Sequence, residues 1–523
     1  MAVVCCGLVT AQEVISLVGS WDLSVGDSTH YDDYVMLPGS LQTNGKTVSL
    51  EKGMVWYKKS VYIPRDWKRQ RVTLFLERPL TETLVFVNGH YVGQEASKYT
   101  PHQYDVTPFM VPGQRNTVAI CVVGQERNGI TGRMELCAQS PRMSIKRVKI
   151  NPEPVNGELQ LTVELDCAYN PLLYYEDMSI VVMSQDKDNT VSFMANEDIT
   201  STTMNLRIPI GKVFRLWDEF VPQIYQIGIR AGDDYYETSF GVRTVKAEGR
   251  RLSINGRPLW LRGIVGDGCF AQTDYPPTDE VEWTEVFSKM KEYGLNHMRF
   301  RTYCPPDAAF AVADKLGVYL LLEGTMTPEE LKGIADTYGH HPSLVMMASG
   351  EAGGGWELPM IACGQEPEGL QLCYKQEIER HLLTKDYAGF LLPTLSDCTH
   401  ISAEDWREFC SPLVPLARFP KTDYTTADTL RVPVEVYNAL YGNVSPIRKS
   451  YLITNGDQVV TGGALANDSL PMDRNTQIGS IVYPLDTISR PSTLTLTVKI
   501  GKTVWNHWDF RVTPVEATKE ERP

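Results

Sequence analysis

Acidic side chains at the ends of two apolar stretches are the first residues in this chain that could do chemistry. Glu323 ends the stretch VYLLLE, and Glu351 ends the stretch SLVMMASGE beside small residues. A carboxyl group in apolar surroundings keeps a raised pKa and can act as a general acid or base. Arg299 lies near the end of a third stretch, LNHMRF, where a buried guanidinium would need an acidic partner such as Glu323 or Glu351.

A region of alternating strand and helix patterns must position these three residues. Continuous apolar runs predict buried strands at 259–263, 295–300, 318–323, 343–351 and 389–395. Helical patterns fall between or before them, at 279–293, 305–317, 328–338 and 375–383. Such alternation favours a parallel sheet with right-handed crossovers, in which the chemistry sits where the strands end.

The region is short for a closed barrel of eight strands. Only residues 255–420 are available for it, whereas a closed (β/α) barrel usually takes about 250 residues. With five plausible strands, we predict a shortened or incomplete (β/α) TIM-type barrel. An open sheet would expose apolar strand edges, so a homo-oligomer is a further expectation.

Strand patterns fill the rest of the chain. Apolar and polar residues alternate in stretches such as 72–77 and 83–87, and Asn88-Gly89 predicts a tight hairpin turn. Short strands with regular turn signals are typical of sandwiches and jelly rolls. The predicted multidomain organisation is a signal-peptide remnant (1–12), a jelly-roll sandwich (13–141), an immunoglobulin-like β-sandwich (142–244), the shortened barrel (245–425), a C-terminal β-sandwich (426–516) and a tail (517–523).

The composition of the chain argues against two classes of binding partner. A formal net charge of −14 argues against nucleic acid and anionic membranes, and no apolar run is long enough to span a bilayer. The first twelve residues look like the end of a secretory signal that lacks its basic start, so we expect a secreted or periplasmic protein. The eleven cysteines show no metal-ligand spacing, and many lie in apolar runs, so no disulfide framework, metal or cofactor is predicted.

Several longer segments of the sequence, taken together, resemble those of a known protein family. In the first domain they are 53–57 (GMVWY), 76–79 (LERP), 87–89 (VNG) and 100–108 (TPHQYDVTP). Around the predicted barrel they are 240–243, 254–258, 294–306, 313–323 and 341–351. These segments, and the order of the domains, resemble glycoside hydrolase family 2, the β-galactosidases, β-glucuronidases and β-mannosidases, in a branch found in gut Bacteroidetes.

The resemblance implies an activity and a site. A family 2 enzyme hydrolyses β-linked glycosides with retention, using two carboxylates about 5–5.5 Å apart. Glu351 aligns with the acid/base of that family, and the implied partner is a glycoside or oligosaccharide of β-galactosidase-like type. Arg299 and Glu323 align with site-supporting residues, and Asp397 falls where the branch has an acidic residue near the pocket. Trp356 is a further candidate, because an aromatic ring can stack on a sugar face.

The chain also departs from the family pattern. Gly350-Glu351 stands where the family has Asn-Glu, and the segment expected to bear the nucleophile is missing between Glu351 and Cys373. The nucleophile therefore stays unidentified, since Glu377 and Glu379 lie on a predicted helix and are expected to be solvated. The alternative to an active β-glycosidase is an inactive paralogue that binds glycans or serves as a scaffold.

Overall fold

A computed structural model of the chain describes residues 13–515, except 47–52, 125–127, 155, 174, 185–191, 210, 212–213, 267–269, 271–275, 302, 350–357, 364–368, 386 and 396–399. The chain divides into two compact units. The first takes in Met1–Thr244, Val265–Ser288 and Met298–Gly354, and the second takes in Val245–Ile264, Lys289–His297 and Gly355–Pro523.

The N-terminal part of the first unit is built from antiparallel sheets. Its strands are β1 (Glu13–Ser16), β2 (Gly19–Val25), β3 (Asp33–Leu37), β4 (Gly39–Ser40), β5 (Met54–Tyr62), β6 (Arg71–Leu76), β7 (Glu82–Val87), β8 (His90–Glu95), β9 (His102–Asp105), β10 (Arg115–Val123), β11 (Gly129–Ile130) and β12 (Met134–Gln139). They form sheets in the orders β1-β12-β6-β9, β3-β2-β5-β10-β7-β8 and β11-β4.

Alternating burial shows why these residues form sheets with a shared core. Every second residue of β6 and β7 is buried, as a strand with one covered face requires. Trp21, Tyr57 and Trp67 are among the large side chains in that core. The hairpin predicted at Asn88-Gly89 joins β7 to β8, and both residues have positive φ, 52° and 83°.

A second all-β part follows in the same unit. Its strands are β13 (Met143–Glu153), β14 (Glu158–Cys167), β15 (Asp177–Ser184), β16 (Ser192–Asp198), β17 (Thr203–Pro209), β18 (Tyr225–Ala231) and β19 (Asp234–Phe240). The sheet orders are β13-β14-β17 and β16-β15-β18-β19. These two sheets enclose their own apolar core, as a sandwich does.

Strands and helices alternate in the middle of the chain. The strands are β20 (Val245–Glu248), β21 (Arg251–Ile254), β22 (Arg257–Leu259), β23 (Leu261–Val265), β24 (His297–Phe300), β25 (Tyr319–Gly324), β26 (Leu344–Ser349) and β27 (Gly389–Leu392). The helices are α1 (Glu280–Glu292), α2 (Asp307–Leu316), α3 (Pro328–Tyr338), α4 (Leu370–Thr384) and α5 (Ala403–Arg407). All five strands and all the helices predicted in this region are confirmed, with ends shifted by a few residues.

The five predicted strands follow the sheet order β26-β25-β24-β23-β27. The pairs β25–β26 and β23–β27 are parallel, and an isolated parallel bridge joins Met360 to Leu391 beside β27. Within the described residues the order is linear, so a closed TIM-type barrel is not confirmed. What the structure supports is a multidomain, strand-rich protein with few helices.

The C-terminal part of the second unit is again all β. Its strands are β28 (Leu413–Ala417), β29 (Asp423–Thr425), β30 (Thr429–Asn438), β31 (Lys449–Asn455), β32 (Gln458–Ala464), β33 (Asn475–Pro484), β34 (Ser492–Ile500) and β35 (Val504–Thr513). Sheets in the orders β28-β30-β33 and β29-β35-β34-β31-β32 share one apolar core. No helix in the described part of the chain is long and apolar enough to cross a membrane.

One cysteine prediction is wrong. Cys363 and Cys373 form a disulfide, ten residues apart in sequence, although no cross-link was predicted. Their spacing matches no motif, and Cys373 lies in the first turns of α4. Cys121, by contrast, is a free and buried thiol, as its apolar run predicts.

Candidate functional site

Arg299 and Glu323 meet at the carboxyl ends of two strands in the first unit. Arg299 is the penultimate residue of β24, and Glu323 is the penultimate residue of β25. The Nη2 atom of Arg299 donates a hydrogen bond to Oε1 of Glu323, and the two side chains are 12% and 23% exposed. Of the two acidic partners predicted for Arg299, the structure shows the bond to Glu323, and Glu351 lies outside the described residues.

A second donor of this arginine is available for another acceptor. The Nε atom of Arg299 is buried and has no hydrogen-bond partner among the described residues. A buried donor left without a partner costs about 1–3 kcal/mol. Arg299 can therefore hold a second acceptor in place, either a further carboxylate of the chain or an oxygen of a ligand.

The last two residues of β26 pair with the last two residues of β25. Ala348 pairs with Glu323, and Ser349 pairs with Gly324. The hydroxyl of Ser349 donates to the carbonyl oxygen of Met326 at 2.7 Å and accepts from the amide of Met326 at 3.2 Å. These two bonds hold the last residue of β26 next to the loop that follows β25, and so set the point from which the chain continues towards Glu351.

Tyr99 from the N-terminal sheets reaches the same strand ends. A Cβ atom at Gly324 would lie 3.0 Å from Oη of Tyr99, so a glycine lets the tyrosine hydroxyl approach the backbone after Glu323. Tyr99 is only 5% exposed. It is a site residue that the sequence did not indicate, because nothing local in the stretch SKYT links it to β25.

A buried acid–histidine cluster supports the start of β26. The Nδ1 atom of His341 lies 2.7 Å from Oδ2 of Asp314, and its Nε2 atom lies 3.4 Å from Oδ1 of Asp307. Asp314 also accepts a 3.0 Å hydrogen bond from the amide of Ser343. Burial lowers the pKa of His341, but the two carboxylates outweigh it and raise the pKa to about 9. The charged histidine ties α2 to β26.

The N-terminal sheets also stabilise the beginning of α2. Oε1 of Glu77 accepts a 2.8 Å hydrogen bond from the amide of Asp307, the first residue of the helix. The residue before it, Pro306, offers no side-chain cap. A carboxylate at a helix N-terminus satisfies a free N–H group and the positive end of the helix dipole. Glu77 is thus a cap supplied from outside the helix.

Three of the predicted site residues cannot be compared with this geometry. Glu351, Trp356 and Asp397 lie outside the described residues. Of the five candidates, the structure brings Arg299 and Glu323 together.

The expectation of solvated carboxylates on α4 holds for one residue and fails for the other. Glu377 is 44% exposed and pairs with Arg380 on the helix surface. Glu379 instead accepts hydrogen bonds from Nδ2 of Asn506 at 2.8 Å and from Nε1 of Trp508 at 3.0 Å. Burial raises the pKa of Glu379. Its partners come from β35, more than a hundred residues away in the chain, so the helical pattern alone could not indicate them.

Comparisons with known proteins agree with this architecture. Residues 4–131 match the model "Glycosyl hydrolases family 2, sugar binding domain". Residues 428–514, in the C-terminal β part, match a domain of unknown function, DUF8488. The first match covers the N-terminal sheets that contribute Glu77 and Tyr99.

Curated relatives match about half of the chain. A β-glucuronidase of Paenibacillus borealis is 24% identical over 300 residues, which are 52% of this chain and 50% of the relative. A β-galactosidase of Thermoanaerobacter pseudethanolicus is 23% identical over 288 residues, 51% of this chain and 39% of the relative. Residues 4–131 thus match the sugar-binding domain of family 2 glycosyl hydrolases, and these curated β-glucuronidases and β-galactosidases are homologues of the chain. The chain spans half or less of the length of these curated relatives.

Solved structures share the fold. Bacteroides uniformis β-glucuronidase superposes with a TM-score of 0.60 at 16% identity, covering 97% of this chain and 81% of that one. The β-D-mannosidase from Dictyoglomus thermophilum gives a TM-score of 0.71 at 12% identity, covering 95% and 89%. At these identities the likeness establishes the architecture alone.

Proposed function

We propose that the chain is a retaining β-glycosidase whose site lies at the carboxyl ends of β24, β25 and β26. The observation that carries the proposal is the pair formed by Arg299 and Glu323, with a buried arginine Nε that lacks a partner among the described residues. Glu351 follows Ser349 by two residues in the sequence, and Ser349 is anchored beside this pair.

In this proposal Glu351 is the general acid/base. It protonates the leaving oxygen and then deprotonates the attacking water, through an oxocarbenium-like transition state. Arg299 orients the carboxylates, Glu323 contacts sugar hydroxyls, and the hydroxyl of Tyr99 lies at the edge of the site. Trp356 and Asp397 complete the substrate-binding set. The nucleophile remains to be identified.

The names of similar proteins, β-glucuronidase, β-galactosidase and β-mannosidase, support a β-glycoside as the proposed substrate class. We infer a β-linked glycoside, with a β-galactoside as the first candidate. The strand–helix region is proposed to be a shortened (β/α) barrel of the TIM type. The disulfide Cys363–Cys373 supports a secreted or periplasmic location, since disulfides persist in oxidising compartments.

Hydrolysis of nitrophenyl β-D-galactoside, β-D-glucuronide and β-D-mannoside tests the activity. Glu351→Gln is expected to lower kcat/KM by about 10²–10⁴-fold, the usual share of general acid–base catalysis. Glu329→Gln, at an exposed glutamate in the first turn of α3, is the matched control and should leave kcat/KM unchanged. NMR should show that the first sugar product keeps the β configuration. Undiminished hydrolysis by Glu351→Gln would refute the assignment.

A second function is favoured by the short strand–helix region. Residues 255–420 leave no segment in which the nucleophile could be recognised. Such a chain would bind glycans at the same strand ends without turnover. Binding of a β-glycoside by calorimetry, abolished in Arg299→Met, with no nitrophenol release from any of the three substrates, would select this function over catalysis.

A further inference from the structure

A separate pocket opens in the second unit, at the beginning of its parallel strands. It has a volume of about 350 Å³, near the lower end of the range of roughly 300–1,000 Å³ for small-ligand sites. Its walls include β20–β22, the residues just before β23 and β27, and the end of α4. Trp260 and Tyr437 pack edge to face at its base, with ring centroids 5.7 Å apart.

The charges lining this pocket are mainly positive, although the whole chain carries a net charge of −14. Three cationic side chains line it, Lys246, Arg251 and Lys385, against two carboxylates, Glu248 and Asp473. Within the described part of the chain, none of the three cations forms an ion pair. The sequence places Asp386 next to Lys385, and that aspartate lies outside the described residues.

Lys385 is the lysine of this pocket whose conformation and contacts best suit ligand binding. It ends α4 in the left-handed conformation, with φ of 54°, which costs a non-glycine residue about 1–2 kcal/mol. Its ammonium donates a 2.8 Å hydrogen bond to the carbonyl oxygen of Asp473 and lies 4.9 Å from the ring centroid of Tyr437. Burial lowers the pKa of Lys385, because the desolvation of the ammonium outweighs the attraction of the carboxylate of Asp473.

Tyr387 adds an aromatic wall to the cationic side. Its ring lies under the guanidinium of Arg250, 5.2 Å from the centroid, and Pro258, Leu259 and Ala388 supply apolar lining. Cations beside aromatic and apolar groups suit a ligand that has both an acidic group and C–H faces. A lone inorganic anion would use the cations and leave the apolar lining without a role.

We propose that this pocket is a second, non-catalytic binding site for a small anionic sugar, such as a uronic acid of one or two rings. The acidic group contacts Lys385 and Arg251, and the sugar ring packs against Tyr387 and the apolar lining. The inference does not depend on the proposed function, because the pocket shares no lining residue with the proposed active site.

Calorimetric titration of the full chain with glucuronic acid, glucose and sodium sulfate tests the proposal. Glucuronic acid is expected to bind, glucose to bind at least tenfold more weakly, and the double variant Arg251→Gln/Lys385→Gln to weaken glucuronic acid binding at least tenfold. The matched control Arg511→Gln/Lys502→Gln removes two exposed cations of the same unit, outside the pocket, and should leave the affinity unchanged. Lys246→Gln alone, at an exposed strand residue, provides a second test if the double variant does not fold.

A third variant separates this site from the proposed active site. Glu323→Gln should retain glucuronic acid binding, and loss of binding in that variant would assign the ligand to the other site and overturn the proposal. Equal affinity for glucose and glucuronic acid would also overturn it, as would sulfate binding as tightly as glucuronic acid. Unchanged affinity in Arg251→Gln/Lys385→Gln, or no heat of binding in the wild-type chain, would do the same.

Discussion

Replacement of Arg78 by methionine should strongly destabilise the first unit. Arg78 is 8% exposed. Its guanidinium donates to the carbonyl oxygens of Cys304 at 2.9 Å, Pro305 at 2.5 Å and Glu77 at 2.7 Å, and to the hydroxyl of Tyr338 at 2.6 Å. These bonds join the N-terminal sheets to the loop after β24 and to the end of α3. Methionine fills similar space but can donate to none of the four acceptors.

The size of the effect follows from those acceptors. Each buried acceptor left without a donor costs about 1–3 kcal/mol, and removing one partner from a buried charged network typically costs about 3–5 kcal/mol. Removal of the guanidinium also relieves its own desolvation, so we expect a net loss of about 3–5 kcal/mol rather than the sum of four bonds. Arg78→Lys keeps the charge but not the planar fork of donors, and should lose about half as much.

Thermal unfolding of the full chain, followed by calorimetry, measures this loss. The first unit has about 325 residues. With an unfolding entropy of roughly 2.1 cal/mol/K per residue, 1 kcal/mol shifts its Tm by about 1.5 °C, so Arg78→Met should lower that Tm by about 4–7 °C. Arg115→Met, at an exposed strand residue of the same sheets, is the control and should change stability by less than about 0.5 kcal/mol. A Tm for Arg78→Met within 1 °C of the wild type would refute the reasoning.

Three further predictions concern other buried groups. His341 has a folded-state pKa of about 9, above its unfolded value of about 6.5. Its charged form therefore contributes at most about 3 kcal/mol to folding stability, which is fully present below pH 6.5 and is lost as the pH rises to 9. The difference in Tm between wild type and His341→Gln should shrink over that range. Gly132→Ala would place a Cβ atom 2.5 Å from Cβ of Glu77, which should cost about 1–3 kcal/mol in urea unfolding; an unchanged midpoint would contradict this. The Nζ atom of Lys375 lies 3.5 Å from the buried carboxylate of Glu408. Lys375→Met removes that cation and should destabilise the second unit by about 3–5 kcal/mol. The double variant Glu408→Gln/Lys375→Met should recover part of the lost stability.

Local pattern was enough to locate the strand–helix region. The helix over Pro328–Tyr338 was predicted to the residue. The structure shows that proline stands in its first turn and that Thr327 and Glu330 form a capping box at its start. The strand ending at Glu323 was recognised because a strand buried on both faces is a continuous apolar run. Glu323 was one of the two partners predicted for Arg299, since neighbouring parallel strands bring their carboxyl ends to one edge, and the structure shows that bond.

Apart from the disulfide between Cys363 and Cys373, the contacts that the pattern missed join residues distant in the chain. The cap that Glu77 provides for α2, the approach of Tyr99 to Gly324 and the burial of Glu379 by Asn506 and Trp508 each depend on how separate elements pack. Periodicity reports only which face of an element is apolar, so it cannot say which polar side chain of another element will meet it. The sequence by itself therefore determined the elements, their order and the paired strand ends. The partners of the buried polar groups were decided by tertiary packing. A buried polar group that has lost water must form a hydrogen bond with whichever group the fold places beside it.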